Sequence, residues 1–260
     1  MEKNIHHHFS KIAHIYRDLR TTDSEPILFI KNKLQKHSKI VAADVGCGAG
    51  RYDLKLFQYI GKKIFLYCID VNKEMLKCLK EFLVEHKIRN FKTIKSFDRK
   101  LPLKDNFLDC IFTFNAVHHF KILQFLKESS RILKNGGYLF IYTRLRSQNR
   151  RNIWGKYFPL FNEKETRLYG LNELRSLIRK TPKLKIETIE YFKCARLSSL
   201  DWLLEQAQSH HYSTFYLYTK KELEVSLEKF KKNIQRNFKD LNKINWFDEN
   251  ILLVVRKQIN

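Results

Sequence analysis

At 260 residues with 43% hydrophobic side chains, the chain can bury a full core, and its length suits one elaborated domain or a domain with a cap better than two independent cores. No apolar run approaches the roughly 18 residues of a spanning helix, and Met1-Glu2-Lys3-Asn4-Ile5-His6-His7-His8 lacks the apolar centre of a signal peptide. A cytoplasmic protein without membrane association is therefore expected, and its net charge of +23 raises nucleic acid as a partner because lysines and arginines release phosphate counterions. The charge is evenly spread, however: residues 1–143 hold 26 of the 50 basic and 14 of the 27 acidic residues, a net +12, and residues 144–260 carry a net +11. The five cysteines, Cys47, Cys68, Cys78, Cys110 and Cys194, form no C-x-x-C pair and read as reduced, buried thiols. The tract His6-His7-His8 has no second ligand cluster, so no metal is expected.

In chain order, Phe9, Ile12, Ala13, Tyr16 and Arg20 recur at helical spacing and mark a helical lead over residues 1–36, whose last helix, 26–36, starts at Pro26. Strands follow near 40–45, 64–69, 91–95, 108–114, 137–143, 185–192 and 250–256, with helix 51–60 after the first and a turn at Asn135-Gly136-Gly137 before the fifth. Apolar runs such as 108–114 and 138–142 suit strands buried on both faces. Seven strands with helical crossovers make an α/β, doubly wound sheet with a core over residues 37–145. The long segment 195–247 reads as mostly helical, with Leu200, Leu203 and Leu204 on one face and Thr219 near the N-cap of a helix through Phe230. It is a cap inserted before the last strand, within a C-terminal part spanning 146–260.

The run Val41-Ala42-Ala43-Asp44-Val45-Gly46-Cys47-Gly48-Ala49-Gly50 ends an apolar strand in three glycines at alternate positions. Such a turn lets a ligand lie against bare main chain. Dinucleotide sites favour G-x-G-x-x-G, whereas here Arg51 stands where the last glycine of that pattern belongs. The second strand ends in Asp70, placed to accept hydrogen bonds from ribose hydroxyls. Ligands of doubly wound sheets bind beyond the carboxyl ends of the strands, so Gly46, Asp70 and the segments after Ile94 and Phe114 are expected to converge.

Taken together, Asp44 to Gly50, Ile69-Asp70-Val71 with Met75, Leu101-Pro102 and Phe107-Leu108-Asp109 resemble the class I S-adenosyl-L-methionine (SAM) dependent methyltransferases, and are most similar to the broad type 11 group, over roughly residues 9–145. The resemblance implies a Rossmann-like seven-stranded fold and a SAM site built from Asp44, Gly46, Cys47, Gly48, Gly50, Asp70, Val71 and Met75. It sets residues 96–98 along the adenine and Asn115-Ala116 beneath the methionine part. Where the family has an acid five residues before the proline of its Leu-Pro pair, this chain has Phe97: either Asp98 takes the adenine contact by a one-residue shift, or Phe97 stacks on the base. Related enzymes close a Phe-Ala-Tyr-Arg lead over the cofactor, which implies Tyr16 and Arg20 at the SAM carboxylate.

Methyl transfer from SAM needs chiefly alignment and exclusion of water. His118 is the first candidate for a general base, with His119 beside it; capping or packing is the competing role for both. The expected acceptor is a small or medium-sized molecule held beneath the cap, with Ser209 to Tyr216 as a wall and Arg144, Arg146, Arg150, Arg151 and Lys156 as a grip for an anionic group. RNA, including wobble uridine, is the alternative acceptor, although the chain has neither an Asn-Pro-Pro-aromatic quartet nor a Pro-Cys nucleophile. A SAM-binding module without catalysis is a further alternative.

Overall fold

The computed structural model describes residues 13, 14, 17 and 21–259. Seven strands, Ile40–Val45 (β1), Ile64–Asp70 (β2), Phe91–Lys95 (β3), Leu108–Phe114 (β4), Leu133–Thr143 (β5), Leu184–Ser198 (β6) and Ile244–Lys257 (β7), form one sheet in the order β3-β2-β1-β4-β5-β7-β6. β1 pairs in parallel with both β2 and β4, so the strand order reverses at β1 and opens a crevice at its carboxyl end. β7 runs antiparallel to β5 from Tyr138–Arg256 to Thr143–Ile251, which makes the sheet mixed.

Helices Glu25–Lys33 (α1), Arg51–Ile60 (α2), Lys73–Glu85 (α3) and Ile122–Ile132 (α4) accompany the first five strands. Pro26 lies in the first turn of α1 as its fixed φ favours, though the helix ends at Lys33, three residues short of the sequence expectation. The strand expected from residue 137 begins at Leu133. Gly136 at φ +77° and a register shift between Leu108 and Cys110 let the chain bulge while staying in the ladder, so Asn135-Gly136 forms an irregular strand start instead of a separate turn. Asp109 holds two strand starts together by accepting from the Val41 N–H and the Lys134 Nζ, each at 2.7 Å.

One compact unit comprises the described part of residues 1–143 together with 171–192 and 251–259. Its core packs Ile27, Ile30 and Leu34 of α1, Tyr52, Leu56 and Ile60 of α2 and Leu76, Leu79 and Leu83 of α3 against β1, β2, β4 and β5. Phe112 stacks on Phe140, and Tyr52 lies flat on Phe114 with ring centres 4.3 Å apart. Arg131 of α4 reaches Glu128, Asp105 and the carbonyls of Leu101 and Leu103, while Glu128 accepts from the Leu101 N–H. One guanidinium thus anchors the loop between β3 and β4.

A second unit comprises residues 144–170 and 193–250. It contains Arg146–Asn149 (α5), Ile153–Tyr157 (α6), Phe161–Lys164 (α7), and Leu200–Gln208 and Lys220–Asn237 with a 3-10 turn, Ser213–Leu217, between them. Its core is aromatic: Trp154 stacks on Phe230 at 5.2 Å and meets Phe215 edge-on at 5.3 Å, with Phe158, Phe161 and Tyr218 around them. The remaining helix, Leu171–Arg179, belongs to the first unit. Thr219 caps the helix 220–237 by accepting from the Glu222 N–H, and the Glu222 carboxylate accepts from the Thr219 N–H in return. Thr219→Ala is expected to cost about 1 kcal/mol of stability in urea unfolding.

Candidate active site

At the carboxyl end of β1 the chain turns through Gly46, Gly48 and Gly50, all with positive φ (+77°, +56° and +85°). A Cβ on Gly46 would lie 2.6 Å from the Ala116 Cβ and 2.9 Å from the Phe120 ring, and one on Gly50 would lie 2.8 Å from Leu79, so side chains are excluded there by both backbone and space. The turn is tied to the end of β2: the N–H groups of Gly46 and Cys47 donate to the Ile69 carbonyl. Gly48 N–H donates to Asp70 Oδ2 at 2.9 Å, and Asn72 N–H to Asp70 Oδ1 at 2.8 Å. After the half-buried Val71, Asn72 caps α3 by accepting from the N–H groups of Glu74 and Met75. Met75 is buried with Ala49 and Ala13.

The segment after β4 approaches the same turn. Asn115 adopts φ +52°, which asparagine tolerates better than most residues, and donates its N–H to the Tyr142 carbonyl. Ala116 backs onto Gly46. His118 lies half-buried in the 3-10 turn Val117–His119, its ring centre 4.1 Å from that of His119. After β3, Ser96 N–H donates to the Asp70 carbonyl, Phe97 is exposed beneath the Arg99 guanidinium, and Asp98 accepts from the Lys121 N–H at 2.9 Å. Gly46, Cys47, Gly48, Asp70 and Ala116 are thereby brought together. Tyr16 and Arg20, with Phe9 and Ile12, lie outside the described residues. Arg17, which the sequence reading passed over, donates to the carbonyls of Ala49 and Cys78 and sits 4.1 Å over the Phe82 ring.

Beneath this turn lies a buried acidic group. Asp44 is 1% and Asp53 0% exposed, and neither Asp44 Oδ1 nor Asp53 Oδ2 has a hydrogen-bond partner among the described residues. Burial pushes the Asp44 carboxyl well above the carboxylate range, and Asp53 and Asp70 push it further. Asp53 is raised to about 7, chiefly by burial, against a hydrogen bond from Cys68 Sγ at 3.2 Å. Burial also raises the thiols of Cys47 and Cys68 well above their usual range, so both stay protonated. Asp53 escaped the sequence reading although its signal was available: it stands on the same helical face as Leu56, Phe57 and Ile60, where an apolar residue belongs. Such a site favours a cation, whose charge relieves the repulsion among carboxylates, over a pyrophosphate, which would add to it.

The basic cluster of residues 144–156 is partly consumed by structure. Arg144 bridges to Asp248 at 3.0 Å and Arg151 pairs with Glu249, so these two guanidiniums serve the second unit's packing and do not form an open grip for an anion. No helix among the described residues is long and apolar enough to cross a membrane.

Residues 43–141 match the methyltransferase domain family. They are a methyltransferase domain of the class I, Rossmann-like type. Among curated relatives, the mouse (Mus musculus) tRNA (carboxymethyluridine(34)-5-O)-methyltransferase is 24% identical over 60% of this chain and 22% of its own length. The ubiquinone/menaquinone biosynthesis C-methyltransferase of Wigglesworthia glossinidia brevipalpis is 32% identical over 44% of this chain and 46% of its own length. The match thus spans less than half of either relative. A crystal structure titled as a methyltransferase from an antibiotic biosynthesis pathway of Anabaena variabilis shares the fold with a TM-score of 0.67 and 20% identity, over 90% of this chain and 98% of that one.

Asp53 retains its proton to about pH 7 in the folded chain, whereas an aspartate in the unfolded chain loses it near 3.9. Between these values the folded state binds the extra proton, so stability falls as pH rises from about 4 to 7. Asp53→Asn keeps the shape without the ionisable proton. It is expected to match the wild type near pH 4 and to exceed it by about 2 kcal/mol at pH 8 in urea unfolding; identical pH profiles would contradict the buried-acid account.

Proposed function

We propose that the chain transfers a methyl group from SAM to a small or medium-sized acceptor. The observation that carries this reading is the glycine turn underlain by Asp44, Asp53 and Asp70, since a sulfonium with an ammonium group is the nucleoside cofactor that suits dry, mutually repelling carboxylates. When bound, SAM supplies an already activated methyl group, so this chain's residues need only hold, orient and exclude water. Asp70 stands at the strand end where ribose hydroxyls are accepted, and Asp44 presents a buried oxygen in need of a donor. Asn115 and Ala116 form the edge of the site from β4. His118 is the residue we assign to removing a proton from the acceptor.

The small-acceptor reading draws support from the dispersed charge and from the ion pairs that occupy Arg144 and Arg151. An RNA acceptor is the second reading, favoured by the similarity to the mouse tRNA methyltransferase together with the net charge of +23. Loss of the Asp70 carboxylate separates cofactor binding from acceptor choice. In isothermal titration, Asp70→Ala is expected to weaken SAM binding by about 1.5–3 kcal/mol; unchanged affinity would overturn the assignment of the site.

A further inference from the structure

The second unit holds a guanidinium whose geometry fits a ligand that the methyl-transfer site does not involve. Arg167 is fixed from one side: its Nε donates to Glu165 Oε1 at 2.9 Å, its Nη2 donates to Glu165 Oε2, and its own N–H also donates to Glu165 Oε1. Nη2 donates in addition to Ser213 Oγ at 3.1 Å. Glu165 is 5% exposed and accepts from Thr214 Oγ1 as well. Burial alone would raise its carboxyl, but Arg167 and Thr214 hold it below the ordinary glutamate value, so the pair is fully ionised. These contacts use the Nε and Nη2 edge of the guanidinium. The remaining nitrogen, Nη1, is buried and has no hydrogen-bond partner among the described residues.

A charged donor out of water without an acceptor is costly, and an anion compensates it better than a neutral group because charge-assisted hydrogen bonds are roughly twice as strong. The surroundings add positive potential. Arg144 donates from Nη1 to the Tyr212 hydroxyl at 3.3 Å and lies 5.5 Å over that ring, so guanidiniums flank the consecutive residues Tyr212 and Ser213. Asp248, the carboxylate bridged to Arg144, is shared with Arg196. Ser213 Oγ accepts from Arg167, which directs its own O–H toward a further acceptor.

We propose that Arg167 Nη1, with Ser213 and Arg144, forms a binding site for a carboxylate-bearing ligand. Because a single nitrogen and a hydroxyl are presented, the site fits a small planar oxyanion better than a tetrahedral dianion. That this carboxylate belongs to the methyl acceptor is a consequence that rests on the methyltransferase reading; the binding site itself does not.

The test is thermal unfolding of the full chain at pH 8 and constant ionic strength, with sodium acetate replacing sodium chloride and inorganic phosphate in a parallel arm. Acetate at about 50 mM is expected to raise the wild-type Tm by about 3 °C, saturably, for a Kd of order 5 mM. The rise is expected to vanish in Arg167→Lys, which keeps a cation opposite Glu165 but lacks the guanidinium fork, and in the double variant Glu165→Gln/Arg167→Met, which removes the ion pair altogether. Equal shifts in wild type and variants, no shift with acetate, or a larger shift with phosphate would overturn the proposal. A crystal structure of the wild type grown in acetate supplies a readout independent of any variant's folding: acetate on Nη1 supports the site, and water there overturns it. Acetate binding in a protein that fails to bind SAM would leave this site standing and sink the methyl-transfer reading alone.

Discussion

The structure turns on carboxylates buried beneath a glycine turn. Asp44 continues the fully buried strand β1 into the crevice, Asp53 projects from the core face of α2, and Asp70 closes the end of β2. Asp70 is the best satisfied of the three, with amides of the glycine turn and of the α3 cap on its two oxygens. Asp44 and Asp53 hold oxygens with no protein partner, and the fold accommodates them by raising their proton affinity. A proton or a cationic ligand relieves the same strain, so occupancy and protonation of this site compete.

The rest of the first unit serves to keep that crevice in register. Parallel pairing of β1 with β2 and β4 sets three strand ends side by side, and the contact between Gly46 and Ala116 is close enough to forbid any side chain on the turn. Arg131 keeps the β3–β4 loop in place through carbonyls and carboxylates. Elsewhere too the chain's abundant cations are used in specific pairs: Lys134 with Asp109, Arg151 with Glu249, and Arg167 with Glu165. A large positive net charge therefore describes solvation and structural pairing as much as any binding face.

Much of this was legible in the sequence because it rests on short-range rules. Continuous apolar runs gave β1, β2 and β4 within a residue, and helix 51–60 matched its expected bounds because Gly50 starts it and Gly61 ends it. Thr219 capped its helix as hydroxyls do. The features that escaped depend on contacts distant in sequence. The antiparallel pairing of β7 with β5 joins residues more than a hundred positions apart, and strand periodicity carries no direction. Gly136 looked like a turn because its positive φ serves a bulge equally well. Arg144 and Arg151 looked like an anion grip because their partners, Asp248 and Glu249, lie at the far end of the chain. Of the site residues, the glycines and Asp70 announced themselves by spacing, whereas the burial of Asp53 emerged only from its helical face.

Calorimetric titration of the wild-type protein at pH 7, with SAM and separately with NAD, in two buffers of different ionisation heat, tests the central claim most directly. Saturable SAM binding that releases protons, with no binding of NAD, is the predicted result, because a cation arriving at Asp44 and Asp53 lowers their proton affinity. Binding of NAD, or absence of SAM binding, would contradict the account.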